Sequence, residues 1–247
     1  MLDYLPYLFF FIALIYSSAG FGGGSSYLAV LSLVPMIDFT EMRILALLCN
    51  LTVVTGSVLL FYREKLLLFA RILPLVCLSV PFAYLGGTLQ ISRRFFFVVL
   101  GCTLFAAAVL MLFSTQGQHR KLPRKTDAVI GAGIGFLSGL VGIGGGIFLS
   151  PVLYLSRWAP AKNIAACTAF FILVNSAAGL AGQIVGAGFV VRPGLALSLT
   201  GAVFIGGQLG ARLTIFKLPP ILVKRVTGFL ILTVAVRLLF KYVPGCF

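Results

Sequence analysis

The chain has 247 residues, of which 60% are apolar and 10% charged, and its 19 Lys and Arg outweigh 5 Asp and Glu to give a formal net charge of +14. Soluble domains run at about 45–50% apolar and about 25% charged, and disorder needs low hydrophobicity, so a cytosolic enzyme and a disordered chain are both excluded. The cations lie in short clusters between long apolar runs, which is how membrane proteins arrange their loops and not how a nucleic-acid surface is built.

The start, Met1-Leu2-Asp3, has no basic segment, and the apolar run that follows over 4–37 is too long for a cleaved signal. As one helix it would measure roughly 50 Å against about 30 Å of hydrocarbon. Near its middle stands Gly20-Phe21-Gly22-Gly23-Gly24, flanked by Ser17, Ser18, Ser25 and Ser26. Each glycine costs a helix interior about 1 kcal/mol, so the run is predicted to break there into two half-helices. Charge-free runs at 44–62, 72–92 and 95–118 each fit one span; the first carries Asn50, Thr52 and Thr55, and the second ends in Leu85-Gly86-Gly87 and Gln90. A basic connector, Ser114 to Asp127, holds the single histidine, His119, with Arg120, Lys121, Arg124 and Lys125.

A second overlong run, 128–156, has its own cluster, Gly142-Ile143-Gly144-Gly145-Gly146, between Ser138 and Ser150. Spans at 163–191 (with Thr168, Asn175 and Ser176) and 193–211 (with Ile205-Gly206-Gly207 and Gln208) follow. A last apolar helix is expected over 226–240, with Arg237 and Lys241 snorkelling to the interface.

The two clusters expose a repeat. GFGGGSSYLAVL at 20–31 aligns without gaps on GIGGGIFLSPVL at 142–153, a spacing of 122, and 85–87 matches 205–207 at a spacing of 120. The expected fold is an all-α polytopic membrane protein: a first transmembrane repeat over 1–113, the connector over 114–127 and a second repeat over 128–247. The two repeats are expected to be inverted, each opening with a Gly-broken half-helix hairpin followed by about three spanning helices. If each overlong run crossed once, the cations would divide 10 to 9 between the two faces. If each is a hairpin, 13 lie on the face with the connector and 6 (Arg43, Arg93, Arg94, Arg192, Arg237 and Lys241) on the other. The positive-inside rule favours the hairpins and puts both termini outside.

Asp3, Asp38, Glu41, Glu64 and Asp127 all fall at run ends or in loops, so no carboxylate relay is expected at mid-membrane depth. Ser-His-Asp, HExxH and paired carboxylates are missing, which argues against a membrane hydrolase. Cys49, Cys77, Cys102, Cys167 and Cys246 have no metal-ligand spacing and read as small apolar residues; no cofactor is expected. Gly131/Gly135/Gly139, Gly182/Gly186 and Gly206/Gly210 recur at four-residue spacing and read as close helix contacts.

Interrupted segments at corresponding positions of duplicated halves point to a transporter's binding site. A helix that starts after a glycine cluster aims unsatisfied N–H groups and a positive dipole end into the membrane, where they suit an anion. The candidate substrate-binding residues are therefore Gly22, Gly23, Gly24, Ser25, Ser26, Asn50, Gly144, Gly145, Gly146, Thr168, Asn175, Ser176 and Gln208.

The doubled G-x-G-G-G break resembles the TauE/SafE family of anion permeases. The second copy matches more closely, with Ser138-Gly-Leu-Val-Gly-Ile-Gly-Gly-Gly146, then Pro151, Thr168 and Asn175-Ser176; the first departs at Ser25-Ser26-Tyr27. The resemblance spans essentially the whole chain. It implies export of sulfite or of an organosulfonate such as sulfoacetate, from a bacterial inner membrane. The partners it implies are the small anion and the bilayer, with no nucleic acid and with a homodimer open. One elementary charge moved through 100 mV is worth about 2.3 kcal/mol, so an inside-negative potential would expel the anion without a coupling ion. A carrier of a metal ion or a neutral solute and a non-transporting membrane scaffold are the alternatives on the sequence alone.

Overall fold

The computed structural model describes residues 4–89, 92–113, 124–156, 158–216, 225, 228–229, 232–233, 235–236 and 239–240. Gln90, His119, Arg120, Lys121, Arg157, Lys217, Lys224, Arg237, Lys241 and Cys246 lie outside them. The described elements are helices: α1 Leu5–Ser17, α2 Gly24–Leu31, α3 Phe39–Arg63, α4 Phe69–Thr88, α5 Arg93–Phe113, α6 Arg124–Val141, α7 Gly146–Leu155, α8 Ala161–Ala187 and α9 Pro193–Phe216. Four stretches, Phe39–Arg63, Phe69–Thr88, Ala161–Ala187 and Pro193–Leu213, are long and apolar enough to cross a bilayer. The described residues of 225–240 are helical, and Leu239 lies against Gly101 of α5.

Both overlong runs break at their glycines. α1 stops at Ser17 and α2 starts at Gly24; α6 stops at Val141 and α7 starts at Gly146. Gly23 (φ +89°) and Gly145 (φ +77°) cap the shorter helices in the left-handed region, where a side chain would be strained. Past each break the chain doubles back. Phe9 of α1 stacks on Tyr27 of α2 with ring centroids 4.5 Å apart, whereas on one continuous helix they would be about 27 Å apart. The Ser26 hydroxyl likewise reaches the Tyr16 hydroxyl at 2.7 Å. In the second half, a Cβ built on Gly145 would lie 3.0 Å from Ser138 Cβ and 3.2 Å from Ile134 Cγ2, so α7 starts alongside α6.

The recurrent glycines seat helix on helix. In lipid, where burying apolar surface gives little drive, association rests on close backbone approach. Gly131, Gly135 and Gly139 of α6 sit on the carbonyls of Leu75, Ser79 and Ala83 of α4, and Gly206 and Gly210 of α9 sit on those of Phe10 and Leu14 of α1. Gly182 and Gly186 of α8 do the same on Tyr84 and Thr88 of α4. Substituting Gly139→Leu is expected to force α6 off α4 and cost about 3 kcal/mol; a thermal melt of the detergent-solubilised protein, followed by light scattering, would read the loss.

Several helices extend past the expected runs: α4 starts at Phe69, α6 at Arg124 inside the expected connector, and α9 continues to Phe216; the start of α3 has the largest consequence. α3 begins at Phe39, behind Asp38 at its N-cap, and not at 44. Glu41 and Arg43 are thereby inside the helix and buried, so Arg43 is not the loop cation that the count over runs makes it. Glu41 accepts two side-chain hydrogen bonds from Arg192, at 2.9 Å each, and one from its backbone N–H at 3.0 Å, which ties the α8–α9 connection to the start of α3.

Candidate functional site

α3 presents Leu47, Asn50 and Val54 on one face, at spacings of three and four residues. α8 presents Ala165, Thr168, Ile172 and Ser176 at spacings of three to four. Both faces point at the glycine tips: Val54 and Asn50 meet Gly22, Leu47 meets Gly142, Ala165 meets Gly20, Ile172 and Thr168 meet Gly146, and Ser176 meets Gly144. Asn50 is the twelfth of the 25 residues of α3, which puts it about 17–20 Å from either end and so near the bilayer midplane.

Asn50 is where the two glycine tips meet. Its Oδ1 accepts the N–H of Gly24, in the first turn of α2, at 3.3 Å. Its Nδ2 donates to Ser176 Oγ at 2.8 Å and to the Ile143 carbonyl, in the second tip, at 3.4 Å. A buried amide must find such partners, and this one finds them on both hairpins and on α8. The glycines make room for it. A Cβ on Gly22 would overlap Asn50 Oδ1, and one on Gly144 would lie 2.5 Å from Asn50 Nδ2 and inside contact distance of Ser176 Oγ.

Of the sequence-derived candidates, Gly22, Gly24, Asn50, Gly144 and Ser176 are brought together directly, while Thr168, which meets Gly146, lies about two helical turns back toward the start of α8. Gly23 and Gly145 cap the two short helices and pack on Tyr27 and Phe171 respectively. Ser25 and Ser26 lie in the first turn of α2, both beside the Tyr16 hydroxyl, while the buried Thr168 hydroxyl has no hydrogen-bond partner among the described residues. Asn175 does not join the cluster. It turns to α4, donating to Ser79 Oγ at 3.0 Å and to the carbonyl of Phe171 at 2.8 Å. Gln208 of α9 faces Gly56 of α3.

Buried polar groups absent from the sequence-derived set also border the tips: Tyr16, Tyr27, Ser138, Gln183 and Arg43. Continuing the α3 face backwards in helical steps (54, 50, 47, 43) would have reached Arg43, and continuing the α8 face forwards from Ser176 by seven would have reached Gln183. The donors at the centre are neutral amides, hydroxyls and helix-end N–H groups. Among the described residues, no three His, Cys, Asp or Glu side chains gather closely enough to hold a metal ion. Such a donor set favours a negative ligand over a cation.

A family model described as "Sulfite exporter TauE/SafE" matches residues 6–238. A curated relative, "Probable membrane transporter protein y4hK" of Sinorhizobium fredii (strain NBRC 101917 / NGR234), is 33% identical over 216 residues, which are 84% of this chain and 85% of that protein. No solved structure matches the chain.

Proposed function

The chain belongs to the TauE/SafE sulfite exporter family, an integral-membrane transporter family and not an enzyme family, and from that premise we propose that it exports a small sulfur-containing anion, sulfite or an organosulfonate. The anion binds between the two glycine tips, and the membrane potential drives it out across a bacterial inner membrane. The observation that carries this reading is the convergence of both tips on the Asn50 amide. Asn50 Oδ1 already accepts an N–H from the start of α2, which is what an anion's oxygen would do there. Gly146 opens α7 on the opposite hairpin, and the Thr168 hydroxyl, without a partner among the described residues, stands beside Gly146 as a further donor. The same family and donor set weigh against a metal carrier or a scaffold.

Helix directions speak for two inverted repeats. α6 runs parallel to α4, since Gly131, Gly135 and Gly139 follow Leu75, Ser79 and Ala83 in order; α9 runs parallel to α1, with Gly206 on Phe10 and Gly210 on Leu14. α3 and α8 are antiparallel: Asn50 meets Ser176 near their centres, while Asn163, near the start of α8, donates to the Leu66 carbonyl just past the end of α3. With α4 returning after α3, these directions have α1 and α6 entering from opposite faces. That supports the hairpin division of the cations, which becomes 13 to 5 once the buried Arg43 is left out, the cytoplasm facing the connector, and alternating access by one half rocking on the other.

Proteoliposomes test the driving force. Sulfite efflux is expected to rise with an imposed inside-negative potential, by up to about 50-fold per 100 mV for a single charge moved, and to survive collapse of the pH and sodium gradients. Efflux that needs a proton or sodium gradient and ignores the potential would overturn the passive mechanism.

A further inference from the structure

Arg43 lies seven residues from Asn50 on the same face of α3, about 10 Å toward the helix start. It is 5% exposed, and among the described residues no carboxylate pairs with it, Glu41 being engaged by Arg192. Its Nη2 donates to the Leu140 carbonyl at the end of α6, at 2.9 Å, while its Nε has no partner among the described residues. The rings of Phe39 and Phe96, with centroids 5.7 and 5.6 Å from Arg43 Cζ, only partly replace lost hydration. Gln183 of α8, 2% exposed, stands beside Gly142 of the same tip, seven residues beyond Ser176. Its Nε2 also lacks a partner among the described residues and would lie 3.0 Å from a Cβ on Gly142.

Two orphaned donors, one carrying a full charge, thus flank residues 140–142 on the side of the central cluster nearer the start of α3. A buried cation without a counter-charge is costly in any protein and more so in lipid; an oxyanion placed there would neutralise it and satisfy both donors. We propose that Arg43 and Gln183, with the α6 tip, form a second anion subsite on the outward side of the central one, where a sulfite or sulfonate group pauses as it leaves. This rests on the central-site reading for its place in transport, but not for its chemistry, which needs only an anion.

The test is sulfite, sulfate, methanesulfonate and chloride binding to the full chain in nanodiscs by calorimetry, with sulfite efflux measured alongside in proteoliposomes. The proteins are wild type, Arg43→Lys, Arg43→Met and Gln183→Leu, each checked for monodispersity. Arg43→Met should weaken binding of the preferred anion by more than about tenfold and Gln183→Leu by about three- to tenfold. Arg43→Lys, which keeps the charge but not the fork, should fall between Arg43→Met and wild type. Should Arg43→Met fail to fold, Gln183→Leu and Arg43→Lys decide. Wild-type affinities in every folded variant, or no anion bound by any protein, would overturn the subsite; intact sulfite efflux would then leave the central site standing. Arg43-dependent binding of sulfate or chloride without sulfite efflux would instead keep the subsite and remove the sulfite-export reading.

Discussion

Alanine at Gly144 is expected to abolish sulfite efflux and to destabilise the protein by about 2–4 kcal/mol. Two costs combine. The position has φ +72°, a region L-residues avoid at about 1–2 kcal/mol. A Cβ there would also sit 2.5 Å from Asn50 Nδ2 and within contact of Ser176 Oγ, wedging apart the hydrogen bond that joins α3 to α8. Gly188→Ala is the control for backbone strain: Gly188 has φ +80°, yet a Cβ on it would meet nothing within 4 Å. It should therefore lose stability through the backbone alone and keep its efflux. Comparable efflux loss in both variants would mean that the crowding at Asn50 is irrelevant.

Asn50→Asp should give the largest transport defect for the smallest change of shape. The carboxylate can still accept the Gly24 N–H, so the α2 end keeps its partner. The donors to Ser176 Oγ and to the Ile143 carbonyl are lost, and a negative charge stands where the proposed site would hold the substrate's charge. Like charges 4 Å apart repel by about 4 kcal/mol at an effective dielectric of 20, so efflux is expected to fall by more than about 100-fold. Thr55→Val on the same helix, whose hydroxyl bonds only the Leu51 carbonyl within its own helix and is exposed, should transport normally. Efflux by Asn50→Asp at the wild-type rate would exclude Asn50 from the permeation route.

Much of this site could be read from residue types. Three consecutive glycines in a run too long for one crossing leave little but a break, and an amide in hydrocarbon must be satisfied, so Gly22–Gly24, Gly144–Gly146 and Asn50 were legible. What one sequence does not carry is the rotational phase of each helix. Asn175 and Ser176 are adjacent and equally polar, yet a turn of about 100° gives Ser176 to Asn50 and Asn175 to Ser79. Gln208 is spent in the same way on the α3–α9 contact. Arg43 was hidden by reading spans between charges, which cut α3 at 44 while its cap lies at Asp38. Gln183 belongs to no motif; only the continuation of the Ser176 face of α8 points to it, and its burial beside Gly142 then marks it.

The most direct measurement is a crystal structure with selenite, a heavier analogue of sulfite, located by the anomalous signal of selenium. The proposed site predicts a selenium peak between the two glycine tips, within hydrogen-bond reach of the Gly24 N–H, the Asn50 amide and the Ser176 hydroxyl. Selenium bound only elsewhere, with the tips in contact through Asn50 alone, would contradict it.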